Sequence, residues 1–504
     1  MALGFQPFDL WPLLLVGVAA LTLAVTGQPL RRAFGLGYLF GVTMLAVTVG
    51  WTYVIAAPVA VALVAFEALW FGLLGQILAS LVGMRWWPVW AASAWVLVEL
   101  LYSRIPFGGF GWFRLGFAMP DSPLAGLYPL VSVAGVSYAT ALTAQLLAWA
   151  VAPRSDRRRT LLRLGSALGA FALLAGSSLV AGRAAAAPAA TGRTVTVGMV
   201  QGNVDGVAGV EPMGRARSVT RNHLAETVTL MAKARAGATA VPDFVLWPEN
   251  STDIDPVRDA ETNDVVWTAV RLAEVPVLVG AVTEGPGPQE RQTTALWWDP
   301  TTGPGATYHK RDLVPFGEWI PYRDQLLPLV PMLQMVGRQG VPGTGPGVLD
   351  VSTAAQGDLR VGVMICFELA YDDTFRDVIR GDGTTGGAQL VTVQSNNATY
   401  AGTGQIPQQW AITRIRAMES QREVLVATTN ALSGYILPDG SVTFQTQQRT
   451  AASGVVTMPL RENITPAVRF GAGLELALGL AAVLALAARM GQAWKNGAAH
   501  ASER

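Results

Sequence analysis

The sequence predicts a polytopic α-helical membrane bundle joined to an extracytoplasmic α/β domain. Three observations predict it. Hydrophobic residues make up 51% of the chain and charged residues 14%, with a net charge of +1, whereas a soluble domain carries about 25% charged residues. Apolar runs of spanning length gather at the two ends of the chain. The segment between them holds most of the acidic residues and a series of short β-branched runs.

The apolar runs fall at 9–26, 36–56, 58–82, 87–103, 124–151, 160–182 and 470–489. Each is near the ~20 residues a helix needs to cross the hydrocarbon core. The first lacks a basic flank and a small-residue cleavage site, so it does not read as a signal peptide. Arg31, Arg32, Arg85, the cluster Arg154, Arg157, Arg158, Arg159 and Arg163, and the terminal Arg489, Lys495 and Arg504 occupy alternate connections, while the others carry only Arg104 and Arg114. Positive charge stays in the cytoplasm, which places 183–469 outside and the C-terminus inside. The expected division is a bundle of about six spans over 1–182, a linker over 183–193, an extracytoplasmic domain over 194–465, a C-terminal transmembrane helix over 466–490 and a cytoplasmic tail over 491–504. The spans are expected to lack the buried charge pairs of ion-coupled transport, apart from Glu67 and Glu99.

The middle segment follows an Ala/Pro linker, Ala184 to Ala190. Strands are expected at Thr194–Gln201, Phe244–Trp247, Val275–Val282, Thr293–Trp298, Leu359–Phe367, Leu390–Gln394, Val424–Thr429 and Gly454–Met458, with helices such as Arg215–Ala236 and Pro407–Arg422 between them. That alternation predicts a layered α/β domain of roughly 270 residues. The segment has no nucleotide-type glycine loop, no zinc-type Cys/His spacing and no basic tract, so cofactor, metal and nucleic acid are not expected.

Three stretches place reactive groups at strand ends, where open α/β sheets build their sites. Phe244–Asn250 is an apolar strand that stops at Pro248 and delivers Glu249. Tyr308–Glu318 carries His309, Lys310 and Glu318. Val361–Glu368 delivers Cys366, the only cysteine, followed by Phe367 and Glu368. A lone cysteine reads either as a buried hydrophobe or as a nucleophile. Lysine usage bears on the choice: Lys233, Lys310 and Lys495 are the only lysines among 36 basic residues, so a lysine here points to a need for a compact ammonium rather than a guanidinium. His309 adjoins Lys310, and neighbours in an extended strand face opposite sides, which argues against a Cys366–His309 dyad.

The ordered set Glu249, Lys310 and Cys366 resembles the Glu-Lys-Cys triad of the nitrilase (carbon–nitrogen hydrolase) superfamily. The contexts match: Trp247-Pro248-Glu249, Lys310 with Pro315-Phe316-Gly317-Glu318 downstream, Cys366-Phe367-Glu368, then Ser395-Asn396-Asn397-Ala398. Membrane spans on both sides of such a domain, together with Pro7-Phe8-Asp9-Leu10-Trp11-Pro12 and the Gly/Trp loop Phe107–Trp112, resemble the apolipoprotein N-acyltransferase family. The resemblance implies an αββα sandwich in a bacterial cytoplasmic membrane. It implies an acyl chain passed from a phospholipid to the enzyme cysteine as a thioester, then to the α-amino group of an apolipoprotein's S-diacylglyceryl-cysteine. Cys366 would be the nucleophile, with its pKa lowered by Lys310; Lys310 would also stabilise the oxyanion, and Glu249 would shuttle the proton. Burial should raise Glu249 and Lys310 should pull it down. Glu318 and Glu368 are expected to support the triad, and Trp247, Phe316, Phe367 and Asn396 are candidate substrate-binding residues. The sequence departs from the family at Phe367, where tyrosine is common, and in Asn396-Asn397-Ala398-Thr399-Tyr400; the family's eighth span would precede Gln6. Arg323–Arg338 is apolar enough to be a lid dipping into lipid or a buried helix. The rival readings are a membrane-bound amidase that releases its product to water, and a non-catalytic lipoprotein-binding protein.

Overall fold

The computed structural model describes residues 1–152, 157–184, 190–207, 209 and 213–502. Arg154, Arg504 and linker residues 185–189 lie outside the described residues. The chain divides into two compact units, Met1–Ala185 with Arg469–Arg504, and Ala186–Val468.

The first unit is helical. It comprises α1 (Trp11–Val25), α2 (Leu30–Thr48), α3 (Ala57–Leu81), α4 (Trp87–Tyr102), α5 (Tyr128–Val151) and α6 (Arg157–Ala184), together with the C-terminal helix Pro466–Ser502 from Arg469 onward. Among the described residues five helices are long and apolar enough to cross a membrane; α1 and α4 are apolar but shorter. Helices α2 and α3 approach closely because glycines line their contact. A Cβ on Gly37 would sit 2.2 Å from the Phe71 carbonyl oxygen, and one on Gly75 would sit 2.4 Å from that of Ala33. Small residues allow this approach where lipid supplies no hydrophobic drive.

The charge content of this unit corrects the sequence reading. Besides Glu67 and Glu99, the C-terminal helix contributes Glu475, almost fully buried. Its carboxylate accepts from Arg114 at 2.9 Å and from Arg104 at 2.6 Å. Arg114 also faces Glu99 at 3.6 Å, and Glu99 accepts from the Leu115 amide at 2.7 Å. Charges removed from water persist only when paired in this way.

The second unit is a two-sheet sandwich. In chain order it begins with β1 (Thr194–Gln201), α7 (Ser218–Arg235), β2 (Phe244–Leu246), α8 (Ala260–Ala273), β3 (Val277–Glu284), β4 (Glu290–Asp299) and β5 (Gly303–His309). It continues with α9 (Arg323–Leu329), β6 (Gln339–Gly340), β7 (Val348–Thr353), β8 (Gly357–Ile365), α10 (Asp372–Arg380) and β9 (Leu390–Ser395). It closes with α11 (Gln405–Ser420), β10 (Val424–Thr428), β11 (Gly434–Ile436), β12 (Val442–Gln445) and β13 (Ala452–Pro459), before α12 (Pro466–Ser502). One sheet has the order β13-β1-β2-β3-β4-β5, with β6 on β4; the other has the order β12-β11-β10-β9-β8-β7. Parallel pairs β1–β2–β3 and β8–β9–β10 form the centres, and antiparallel strands flank them.

Alternation along each strand builds the layers. Val197, Met199, Phe244 and Leu246 from one sheet meet Val361, Val363, Ile365 and Leu425 from the other in a common core. The intervening Val200, Val245 and Trp247 face outward and pack with Leu230, Met231, Val266 and Val270 of α7 and α8. Helices α10 and α11 pack against the second sheet. Central strands buried on both faces must be apolar throughout, which is why their runs stand out in the sequence. The four layers are the αββα sandwich the resemblance implied.

Candidate active site

The site is assembled at strand ends of both sheets. After β2, the turn at Trp247-Pro248 presents Glu249 with almost no exposure. The turn rests on Gly280 of β3, where a Cβ would lie 2.1 Å from the Pro248 carbonyl oxygen and 2.7 Å from the Glu249 Cα. Any side chain at 280 would displace the carboxylate. Glu249 Oε1 accepts from Lys310 Nζ at 3.0 Å, and Oε2 accepts from the Asn396 backbone amide at 2.8 Å.

Lys310 follows β5 and is 1% exposed. Its backbone is held on both sides: its amide donates to the Thr293 carbonyl and its own carbonyl accepts from the Gly343 amide, each at 2.8 Å. Its ammonium lies between two carboxylates, with Glu249 at 3.0 Å and Glu318 at 2.9 Å. Glu318 is fixed in turn by the Val314 amide at 2.8 Å. Burial disfavours the ammonium, but the Glu249 and Glu318 carboxylates outweigh it and hold Lys310 charged well above the usual lysine range. His309 turns to the other side, where Nδ1 meets Thr294 Oγ1 at 2.9 Å; no Cys366–His309 dyad forms.

Cys366 begins a 3-10 turn, Cys366–Ala370, immediately after β8, with φ +53°. A non-glycine residue in the left-handed region stores strain of about 1–3 kcal/mol, and such strain concentrates at functional sites. The thiol is half-buried. Burial pushes it up to about 12; the Glu249 carboxylate adds to the rise, while Lys310 and a hydrogen bond from Ser395 oppose it. Lys310 pulls the thiol down as expected, but burial and the Glu249 charge outweigh it, which favours the protonated thiol. Glu249 itself is raised, first by burial and then by the Glu318 charge, against the pull of Lys310. Burial wins the competition that the sequence left open.

The remaining candidates separate. Glu368 is fully buried, and its partners are neutral donors: Oε1 accepts from the Tyr308 hydroxyl at 2.6 Å and the Arg311 amide at 2.7 Å, and Oε2 from the Ile365 amide at 2.7 Å. It ties the backbone beside Lys310 to the backbone beside Cys366. Asn396 caps the base through its amide and spans to Thr429 Oγ1 at 3.0 Å. Phe316 is 42% exposed at the turn before Glu318, whereas Phe367 is buried edge-on against Tyr371. Trp247 does not line the site. It is wholly buried on the helix side of its sheet beside Val245, donating to Thr227 Oγ1 at 2.9 Å; β2 ends at Leu246, and the turn at Pro248 takes Glu249 out of the strand's alternation. The Arg323–Arg338 stretch is no buried helix: α9 and the 3-10 turn Pro331–Val336 bury no residue, and Leu329 is 76% exposed. Sequence reasoning missed Gln409, whose Oε1 lies 3.9 Å from the Cys366 sulfur; a glutamine inside an amphipathic helix carries no signal of its own.

A carboxylate, an ammonium and a thiol converging at strand ends of an αββα sandwich define a carbon–nitrogen hydrolase domain, and the model of that family, "Carbon-nitrogen hydrolase", matches residues 215–463. Residues 1–146 match the family described as "Apolipoprotein N-acyltransferase N-terminal domain". The chain is 34% identical to the apolipoprotein N-acyltransferase of Mycolicibacterium smegmatis, across 96% of this chain and 82% of that protein. It is 28% identical to that of Azotobacter vinelandii, across 94% and 90%. Among solved structures, an amidase from Nesterenkonia has a TM-score of 0.38 at 15% identity, covering 55% of this chain and 95% of that one. The chain belongs to the apolipoprotein N-acyltransferase family.

Glu368 yields a prediction with a definite sign. Burial, with the charge of Asp312 adding, lifts it from 4.5 to about 7. The folded chain therefore holds this proton more tightly than the unfolded chain. The stability it contributes is fully present below 4.5 and is lost as pH rises through about 7. Glu368→Gln removes that titration and, with its oxygen kept toward Tyr308 and Arg311, the acceptor of the Ile365 amide. Thermal unfolding should show the wild-type advantage narrowing across this pH window; a pH-independent gap would contradict the assignment.

Proposed function

We propose that the protein transfers an acyl chain from a phospholipid to the α-amino group of an apolipoprotein's S-diacylglyceryl-cysteine through a thioester on Cys366. The observation that carries this is the single thiol beside the Glu249–Lys310–Glu318 ion cluster, in a chain whose relatives bear that name and whose flanking helices have membrane length.

Each step follows from the site. As the Cys366 sulfur adds to the ester carbonyl, Glu249 takes the thiol proton, and Lys310 offsets the charge growing on the oxyanion. Collapse breaks the ester C–O bond, and the proton on Glu249 passes to the leaving lysophospholipid alkoxide. The ionised Glu249 then accepts a proton from the incoming neutral amine as its nitrogen adds to the thioester carbonyl, and passes that proton to the Cys366 sulfur as the C–S bond breaks, so the amide forms and the thiol is restored. Glu318 keeps Lys310 in place, and Glu368 keeps Lys310 and Cys366 in register. Phe316, Phe367 and Asn396 are the substrate-side candidates. The exposed apolar surface of Leu329, Val330, Met332 and Met335 supports a lid in contact with lipid. The domain division at 182–194 and 465, supported by the two compact units, goes with a bacterial cytoplasmic membrane location, the hydrolase domain outside and the C-terminus inside.

Purified protein incubated with phospholipid and no acceptor should gain the mass of one acyl chain in a hydroxylamine-labile adduct that Cys366→Ala lacks. A diacylglyceryl-cysteine peptide should then discharge it onto its amine. Discharge to free fatty acid would favour an amidase-like hydrolase, and absence of an adduct with any lipid would remove the acyltransferase reading.

The pH dependence follows from Glu249. It acts as a base only when ionised, and it is raised above 4.5, so thioester formation should fall as pH drops through a value above 4.5. Glu318→Gln removes a charge that raises Glu249, so the acidic limb should move to lower pH. The plateau should also fall, by roughly tenfold or more, as Lys310 loses an anchor. A limb that stays or moves upward would contradict the coupling.

A further inference from the structure

Beneath the Cys366 sulfur lies a cluster of side-chain amides that the transfer scheme does not use. Gln409 of α11 is buried, and its Oε1 is 3.9 Å from the sulfur. The structure orients this amide through its partners. Oε1 accepts from Asn397 Nδ2 and from Gln405 Nε2, each at 2.8 Å. Nε2 donates to Ser395 Oγ at 2.7 Å, and Ser395 Oγ donates to Asn397 Oδ1 at 2.9 Å. Flipped by itself, the amide would set its NH2 against two other NH2 groups. In this arrangement Gln409 presents oxygen, not nitrogen, to the sulfur.

We propose that Gln409 is a further residue of the nucleophile's machinery, whose carboxamide oxygen accepts from the Cys366 thiol and keeps the sulfur neutral until Glu249 withdraws its proton. This rests on the reading of Cys366 as the nucleophile. A hydrogen bond to the neutral form favours that form, and a thiolate in the same place would face the negative end of the carbonyl dipole. The other groups acting on the sulfur are known. Glu249 after β2 and Glu318 in the loop after β5 oppose a thiolate; Lys310 favours one, as does Ser395 when its hydroxyl turns from Asn397 to the sulfur. Tyr400 after β9 also senses the sulfur charge. Glu368, on the cysteine's own turn, is committed to Tyr308, Arg311 and Ile365. Gln409 carries no charge, and it acts on the same side as Glu249. The arrangement holds the thiol in reserve: without an ester in place it is a poor nucleophile toward water-borne oxidants and electrophiles.

Because Cys366 is the only cysteine, alkylation of the intact, detergent-solubilised chain by iodoacetamide reads this thiol alone. No lipid is needed, so the result is independent of whether acyl transfer occurs. The rate from about pH 7 to about pH 10, below the thiol midpoint, follows the thiolate fraction. Gln409→Met replaces the carbonyl by a weak acceptor of similar length. Its alkylation should be about threefold to tenfold faster at each pH, the effect of losing one such hydrogen bond. Gln409→Glu retains both acceptor contacts, with the Ser395 hydroxyl able to donate to it instead, and should react at the wild-type rate or more slowly. Opposite behaviour of the two variants separates this role from loosened packing, which would speed both. A Gln409→Met rate equal to wild type, or a Gln409→Glu rate raised along with it, would overturn the proposal.

Discussion

An ammonium buried between two carboxylates is the constraint on which the rest of the site depends. Lys310 is 1% exposed and touches both Glu249 and Glu318. With two acids and one base, the cluster carries one negative charge more than it can neutralise internally. Burying charge is costly, and removing one partner from such a cluster costs about 3–5 kcal/mol. The surplus makes Glu249 ready to take a proton, and the thiol of Cys366 is the neighbour that has one to give. A depressed thiol pKa is then unnecessary. The thiol rests neutral, and its proton moves to Glu249 as the carbon–sulfur bond forms.

Much of the surrounding architecture serves to hold this charge cluster at strand ends. Gly280 lets the Glu249 turn lie against β3. Thr293 and Gly343 clamp the Lys310 backbone from both sides. Glu368 stitches the lysine and cysteine segments together through backbone amides. The helical unit obeys the same rule, with Glu475 and Glu99 paired to Arg104 and Arg114.

What the sequence revealed and what it concealed follow from the same physics. Central strands such as β8 and β9 are buried on both faces, so their apolar runs are unmistakable, and the reactive groups at their ends could be read by position. The edge strands β5 and β7 were missed, although the edge strand β13 was legible: β5 carries Pro304 and two glycines, and β7 alternates buried with exposed residues, patterns that edges tolerate. Lys310 was found nonetheless, through the rarity of lysine. Trp247 was misplaced because its neighbour Glu249 drew attention, although strand alternation sends it into the helix layer. Glu475 and Gln409 were invisible, since each depends on a partner far away in the sequence. The direction of the thiol shift was unreadable because it is a balance of burial against charges whose separations only the fold sets.

The most direct test of the central claim is single-turnover thioester formation by Lys310→Arg, followed by intact mass after mixing with phospholipid. Arginine keeps the positive charge but not the compact ammonium that two converging carboxylates enclose. The account predicts a folded protein whose Cys366 acylates at least about a hundredfold more slowly. Acylation at the wild-type rate would show that any cation suffices, and that the buried ammonium is not what organises the site.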